Sequence, residues 1–112
     1  GQAYANVNGT CVYPPYISGQ QQTLRNMSQN YTVHNALPGD VFSWAITDWD
    51  GLPTNIATII QGQGTNVLRI KLTNNVFESY PVYFQIVLTL TNANSSTRTV
   101  YYDVQLLDQI RP

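Results

Sequence analysis

The stretch Val-Tyr-Phe-Gln-Ile-Val-Leu-Thr-Leu-Thr at positions 82–91 decides the fold of this chain. Every second side chain in it is apolar, and these apolar residues are Val82, Phe84, Ile86, Leu88 and Leu90. Successive side chains of a β-strand point to opposite faces of a sheet, so a period of two predicts a strand with one face in the core and the other in solvent.

The same period of two recurs through most of the chain. Residues 41–47, 66–73 and 99–107 alternate in this way, and shorter strands fit residues 31–35 and 56–60. Turn-forming combinations of Gly, Pro, Asn and Asp separate these segments, and no segment has the apolar spacing of a capped helix. About seven short strands in a chain of this size predict an all-β fold, a two-sheet antiparallel sandwich.

The core of this sandwich is predicted to form around one tryptophan. Trp44 lies on the apolar side of its strand, and an aromatic side chain of that size dominates the buried area of a small sandwich. The alternation assigns the following residues to the core: Phe42, Trp44, Ile70, Phe84, Ile86 and Leu88.

The N-terminal region has a different pattern. Residues 1–11 are interpreted as an extended arm or linker, with Ala3, Ala5 and Val7 on one face, and residues 12–112 as the sandwich domain. Pro14 and Pro15 restrict residues 12–17 to an edge strand, and residues 19–29 are predicted to form a polar loop. The arm could be a strand of its own domain, a linker between domains, or a strand donated to a neighbouring copy.

Five short motifs resemble the PKD-like, immunoglobulin-like repeats of surface and secreted proteins, many of them bacterial. They are Ile17-Ser18-Gly19, Tyr31-Thr32-Val33, Leu37-Pro38-Gly39, Phe42-Ser43-Trp44 and Gly62-Gln63-Gly64-Thr65-Asn66. The resemblance extends over residues 17–107 and implies an immunoglobulin-like fold and an extracellular or cell-surface location. The chain departs from the family at Asp48-Trp49-Asp50-Gly51, where relatives carry an Asp-Gly turn, and it lacks an early cysteine that some relatives have.

Composition excludes several classes of partner. Only 10% of the 112 residues are charged and the formal net charge is −1, which provides no basic surface for nucleic acid or for an anionic membrane. No run of apolar residues is long enough for membrane insertion. Cys11 has no second cysteine in the chain, so it is interpreted either as a small residue at a strand end or as a crosslink between molecules.

Four Asn-x-Ser/Thr sequons occur, at Asn8, Asn26, Asn30 and Asn94. They are candidate glycosylation sites, and in an organism that glycosylates asparagine they should lie on exposed backbone. The alternative interpretation is that these asparagines are polar turn residues.

The residue types needed for catalysis do not assemble in this sequence. His34 is the only histidine, and no Gly-x-Ser-x-Gly nucleophile motif or phosphate-binding glycine loop is present. Asp48 and Asp50 could offer oxygen ligands to Ca²⁺, but the rest of a calcium loop is missing, so they are only a weak metal candidate. We therefore expect no enzymatic activity and no cofactor.

Exposed aromatic residues provide the remaining indication of function. Tyr13, Tyr16 and Trp49 are candidate interaction residues, together with Ala3, Ala5 and Val7 of the arm. The sequence favours a structural or interaction module of a stalk, adhesin or fibre, with copies of itself or neighbouring immunoglobulin-like domains as partners, and with filament assembly by a donated N-terminal strand as a sharper version. The alternative is a carbohydrate-binding module that recognises surface glycans through its Trp and Tyr side chains.

Overall fold

The computed structural model describes residues 5–7 and 10–107, with side chains from residue 13 onward. Ala3 and Asn8 lie outside the described residues. The regular elements of the described part are ten strands: β1 (Ala5–Val7), β2 (Thr10–Val12), β3 (Tyr16–Gly19), β4 (Gln22–Leu24), β5 (Ser28–His34), β6 (Val41–Thr47), β7 (Ala57–Gln61), β8 (Val67–Leu72), β9 (Val82–Thr91) and β10 (Thr97–Leu107).

Eight of these strands form two four-stranded sheets. One sheet has the order β3-β5-β8-β7 and the other has the order β4-β10-β9-β6. All pairs are antiparallel except β4 with β10, which run parallel. The predicted two-sheet antiparallel sandwich is confirmed, with this one parallel pair making the sheet that contains β4 mixed.

The strand order is that of an immunoglobulin-like sandwich in which the first strand is divided between the two sheets. β3, β5, β8 and β7 correspond to strands A, B, E and D of that fold, and β6, β9 and β10 correspond to C, F and G. β3 and β4 are the two halves of the first strand. If these two halves are counted as one strand, the two sheets contain seven strands, which agrees with the predicted number of about seven.

The crossing from β3 to β4 is fixed by two tyrosine hydroxyl groups. Tyr102 Oη donates a hydrogen bond to Gly19 O and Tyr31 Oη donates one to Gln20 O, both at 2.6 Å. A Cβ on Gly19 would lie 2.3 Å from Cδ1 of Tyr31, so only glycine allows the chain to pass this close to the ring. The segment 19–29, predicted as a loop, therefore contains β4 and the beginning of β5.

The core lies between the sheets and contains most of the residues that the alternation assigned to it. Trp44, Ile70, Phe84, Ile86 and Leu88 are buried. Trp44 is 3% exposed, and its indole Nε1 donates a hydrogen bond to Thr65 O at 2.8 Å, which satisfies the only polar atom of that side chain. Phe42 is only partly buried and packs against the edge of this cluster.

The outer edge of β6 is occupied by a side chain from the turn between β7 and β8. Gln63 Oε1 accepts a hydrogen bond from Trp44 N at 2.7 Å, and Gln63 Nε2 donates one to Trp44 O at 2.9 Å. One amide side chain thus makes the two bonds that a neighbouring strand would make to this residue. Gly62, with φ +94°, shapes the turn, because a Cβ there would lie 1.9 Å from Val67 O.

The N-terminal segment contains two short strands where an extended arm was predicted. β1 and β2 pair antiparallel, with Asn6 opposite Cys11, and form a two-stranded sheet of their own. We call this pair the N-terminal hairpin. Val12 belongs to β2, and the edge strand predicted from residue 12 begins at Tyr16, after the two prolines.

Candidate functional site

The outward face of the β4-β10-β9-β6 sheet carries a row of polar and aromatic side chains. Gln105 of β10 lies opposite Gln22 on β4 and opposite Tyr83 on β9, and Asp103 lies opposite Gln85. These residues come from three strands, of which β9 and β10 are consecutive in the chain and β4 is distant from both. The register of the sheet brings them together, and the sequence pattern did not identify them as neighbours.

Trp49 extends this row beyond the end of β6. Its ring centroid lies 5.7 Å from that of Tyr83, with the two planes tilted by 43°. Trp49 is 58% exposed and Tyr83 is 45% exposed, so each ring keeps much of its surface in solvent. Trp49, a candidate interaction residue, is therefore exposed, and the structure adds Tyr83, which was not among the candidate residues.

The turn that carries Trp49 is held by the neighbouring aspartate. Asp48 Oδ1 accepts hydrogen bonds from the backbone N–H groups of Asp50 and Leu52, both at 2.9 Å. This carboxylate therefore organises the turn. No group of three or more His, Cys, Asp or Glu side chains suited to a metal ion occurs among the described residues.

A cleft of about 510 Å³ opens between these aromatic rings and the crossing from β3 to β4. It is lined by Gln20, Gln21, Gln22, Trp49, Tyr83, Asp103 and Gln105, and we call it the Trp49 cleft. Two hydrogen bonds order its floor. Gln85 Nε2 donates to Asp103 Oδ1 at 2.9 Å, and Gln22 Nε2 donates to Gln105 Oε1 at 3.4 Å.

The backbone around the Trp49 cleft is anchored in the core. Gln105 N donates a hydrogen bond to Gln21 O at 2.7 Å, and Tyr31 Oη holds Gln20 O. Burial raises the pKa of Tyr31 above the usual tyrosine value, and Tyr102 next to it raises it further. The pKa of Tyr102 is also raised by burial.

The opposite sheet carries a second polar cluster. Ser18 Oγ and His34 Nε2 lie 2.7 Å apart, and the His34 ring stacks on Tyr16 with centroids 4.7 Å apart. A serine next to a histidine is part of a hydrolytic arrangement, but no described carboxylate hydrogen-bonds this ring to orient it. The pair bridges β3 and β5, and the sequence alone did not indicate it because the two residues meet only through strand pairing.

The other candidate residues lie apart from the Trp49 cleft. Tyr13 and Tyr16 are exposed near the start of β3. The sequon residues Asn26, Asn30 and Asn94 are all exposed. Ala5 and Val7 belong to β1. Among the described residues, no helix is long and apolar enough to span a membrane.

Three features together define an immunoglobulin-like β-sandwich: the strand order, the divided first strand, and the buried Trp44 on β6, which corresponds to strand C of that fold. The solved structure of murine CRIg has a similar fold: the TM-score is 0.58 at 6% sequence identity, over 88% of this chain and 100% of that chain. At this identity the similarity establishes the fold alone. No family model and no curated protein matches the sequence.

Proposed function

We propose that this chain is a non-catalytic, extracellular interaction module that associates with copies of itself or with neighbouring immunoglobulin-like domains, as a repeat of a surface stalk, adhesin or fibre. The observation that carries the proposal is the N-terminal hairpin. Its two strands of three residues pair with each other, and among the described strands they join neither sheet of the sandwich.

A two-stranded hairpin by itself is at best marginally stable in water. Among the described strands, β1 and β2 pair only with each other, and a third strand would give the hairpin further backbone pairing. An edge of a neighbouring molecule supplies such a strand, which is the chemistry of β-strand addition. The donated single strand that the sequence indicated is then replaced by a donated hairpin.

The acceptor edge for this hairpin is one of the two edges of the β3-β5-β8-β7 sheet. Gln63 occupies the middle of β6, and β4 is only three residues long. β3 and β7, with four and five residues, offer longer backbone edges. β7 also contains an irregularity between Ile59 and Gln61, a feature that interrupts pairing, so β3 is the better acceptor.

Deletion of residues 1–12 tests the proposal. We expect the intact chain to form oligomers whose mass increases with concentration, and the shortened chain to remain a folded monomer. Analytical ultracentrifugation of both forms, with thermal unfolding as the check on folding, measures this. Equal assembly of the two forms would refute the role of the hairpin.

Carbohydrate binding is the second candidate function. The Trp49 cleft favours it, because two exposed aromatic rings stand beside a row of amide and carboxylate groups. Loss of glycan-array binding in Trp49→Ala, with binding retained in Tyr16→Ala on the opposite sheet, would support this candidate. Equal binding by both variants would count against it.

A further inference from the structure

We infer that the Trp49 cleft is a saccharide site that accepts uncharged sugar rings and rejects acidic ones. This inference rests on the second candidate function above and assigns it a ligand class. The observation behind it is that Asp103 is the only charged residue among those that line the cleft.

The wall of the cleft suits the apolar face of a sugar. The Trp49 and Tyr83 rings meet at a tilt of 43° and both remain substantially exposed, so they form an angled surface of two aromatic faces. A pyranose ring in the chair form has faces of C–H groups, which pack against such surfaces and are removed from water on binding.

The floor of the cleft suits the hydroxyl groups at the rim of the same ring. Glutamine amides both donate and accept hydrogen bonds, so Gln20, Gln21 and Gln105 can pair with sugar hydroxyls in either direction. The Asp103 carboxylate only accepts, and Gln85 already holds its Oδ1. Its other oxygen can therefore accept a hydrogen bond from a hydroxyl group of a ligand.

The charge of the cleft determines which sugars fit. The described cations contribute nothing to its lining: Arg98 pairs with Asp40, Arg25 bonds to Asn74, and Arg69 and Lys71 lie on β8 in the other sheet. The carboxylate of a uronic acid or sialic acid would meet Asp103, and none of the described residues that line the cleft carries a positive charge to offset the repulsion. A neutral hexose carries no charge, so Asp103 does not repel it.

The same aromatic pair could pack against a proline-rich peptide, because such peptides dock on grooves lined by aromatic rings. The glutamine and aspartate floor favours the saccharide, since a polyproline chain has carbonyl acceptors but no backbone N–H for Asp103 to bind. A polyproline peptide therefore belongs in the experiment as a competing probe.

The test is an array of neutral hexose oligosaccharides, uronic-acid oligosaccharides of matched length and a polyproline peptide, probed with the intact chain. We expect binding to at least one neutral oligosaccharide and to none of the acidic ones. Trp49→Ala should weaken the neutral binding by about tenfold or more, and Tyr16→Ala should leave it unchanged. Asp103→Asn keeps an oxygen that accepts the hydrogen bond from Gln85 and removes the negative charge. This variant should therefore also bind uronic-acid oligosaccharides.

Three results would overturn the inference: binding of acidic sugars by the unaltered chain, binding of the polyproline peptide that depends on Trp49, or no binding of any neutral oligosaccharide at millimolar concentration. Unaltered thermal unfolding of each variant ensures that a loss of binding does not reflect a loss of fold. The self-association of the chain is measured in a separate experiment. If no oligosaccharide binds, the saccharide site is refuted, and the proposed association through the hairpin is decided by its own test.

Discussion

At the scale of single residues, the two tryptophans show how position decides the role of the same side chain. Trp44 lies in the middle of β6 and is almost completely buried, whereas Trp49 follows the same strand by two residues and is mostly exposed. The alternating pattern distinguished them, because Trp44 falls on the apolar side of a regular strand and Trp49 lies in an Asp-rich turn. Trp44 stabilises the fold, and Trp49 is available to a partner.

We predict that Trp44→Ala lowers the free energy of unfolding by about 3–5 kcal/mol, through the loss of buried surface and the cavity that remains. Trp49→Ala is the matched control and should change it by less than about 1 kcal/mol, because the side chain is already in solvent. Urea denaturation followed by circular dichroism measures both. A Trp44→Ala protein as stable as Trp49→Ala would show that the core has been misplaced.

Tyr31 leads to a pH-dependent prediction. Burial raises its pKa in the folded chain, so at high pH the unfolded state ionises this tyrosine while the folded state keeps it protonated. The stability it contributes is complete below the unfolded pKa of about 10 and is lost as pH rises from there towards the folded pKa. The raised pKa of Tyr102 acts in the same direction.

We therefore expect the free energy of unfolding to fall between about pH 9 and about pH 11, with a shallower fall in Tyr31→Phe. The exposed Tyr101→Phe serves as the control and should follow the unaltered chain. Equilibrium denaturation across this pH range provides the measurement. A decline of the same steepness in Tyr31→Phe would assign the pH dependence to other groups.

At the scale of secondary-structure elements, the long strands could be predicted from the sequence and the short ones could not. β6, β8, β9 and β10 each contain several alternating positions, so their existence follows from period alone. β4 has three residues, and its inward position is the polar Thr23, which receives a hydrogen bond from Gln29 Nε2 at 2.8 Å. Its partner is the C-terminal strand, and no local pattern encodes that pairing.

The candidate site was predictable only in part for the same reason. An exposed Trp49 follows from its turn sequence. The cleft beside it depends on the parallel register that places Gln22 next to Gln105 and on the crossing that Gly19 permits. Both are contacts between residues more than 80 positions apart or between two sheets, and they arise only when the sandwich is assembled.

Gln63 leads to a prediction at this scale. Replacing it with alanine removes both hydrogen bonds to the backbone of Trp44, and we expect a loss of about 1–3 kcal/mol in the free energy of unfolding. It also exposes the edge of β6, which should increase association at high concentration. Gln61→Ala, in the adjoining strand, is the control.

Denaturation and light scattering of the two glutamine variants check this prediction together. If Gln63→Ala behaves like Gln61→Ala in both measurements, the Gln63 side chain does not protect the edge of β6 in solution.

At the scale of the whole molecule, the chain is an immunoglobulin-like sandwich with two features outside its core: the N-terminal hairpin and the Trp49 cleft. The hairpin leads into β3, which begins one sheet, and the cleft lies on the outward face of the other sheet. The proposed association through the hairpin would place a neighbouring copy beside β3, which ends at Gly19, directly before Gln20, Gln21 and Gln22 of the cleft. A low share of charged residues is compatible with close packing of such copies, since few charges lose hydration when surfaces meet.

Hydrogen exchange of the backbone amides in residues 5–7 and 10–12, measured by mass spectrometry at increasing protein concentration, tests the central claim most directly. If the hairpin is completed by a neighbouring molecule, these amides exchange rapidly in dilute solution and become protected as the mass of the particles rises, while β9 stays protected throughout. Exchange of the hairpin amides that does not change with concentration would contradict association through the hairpin.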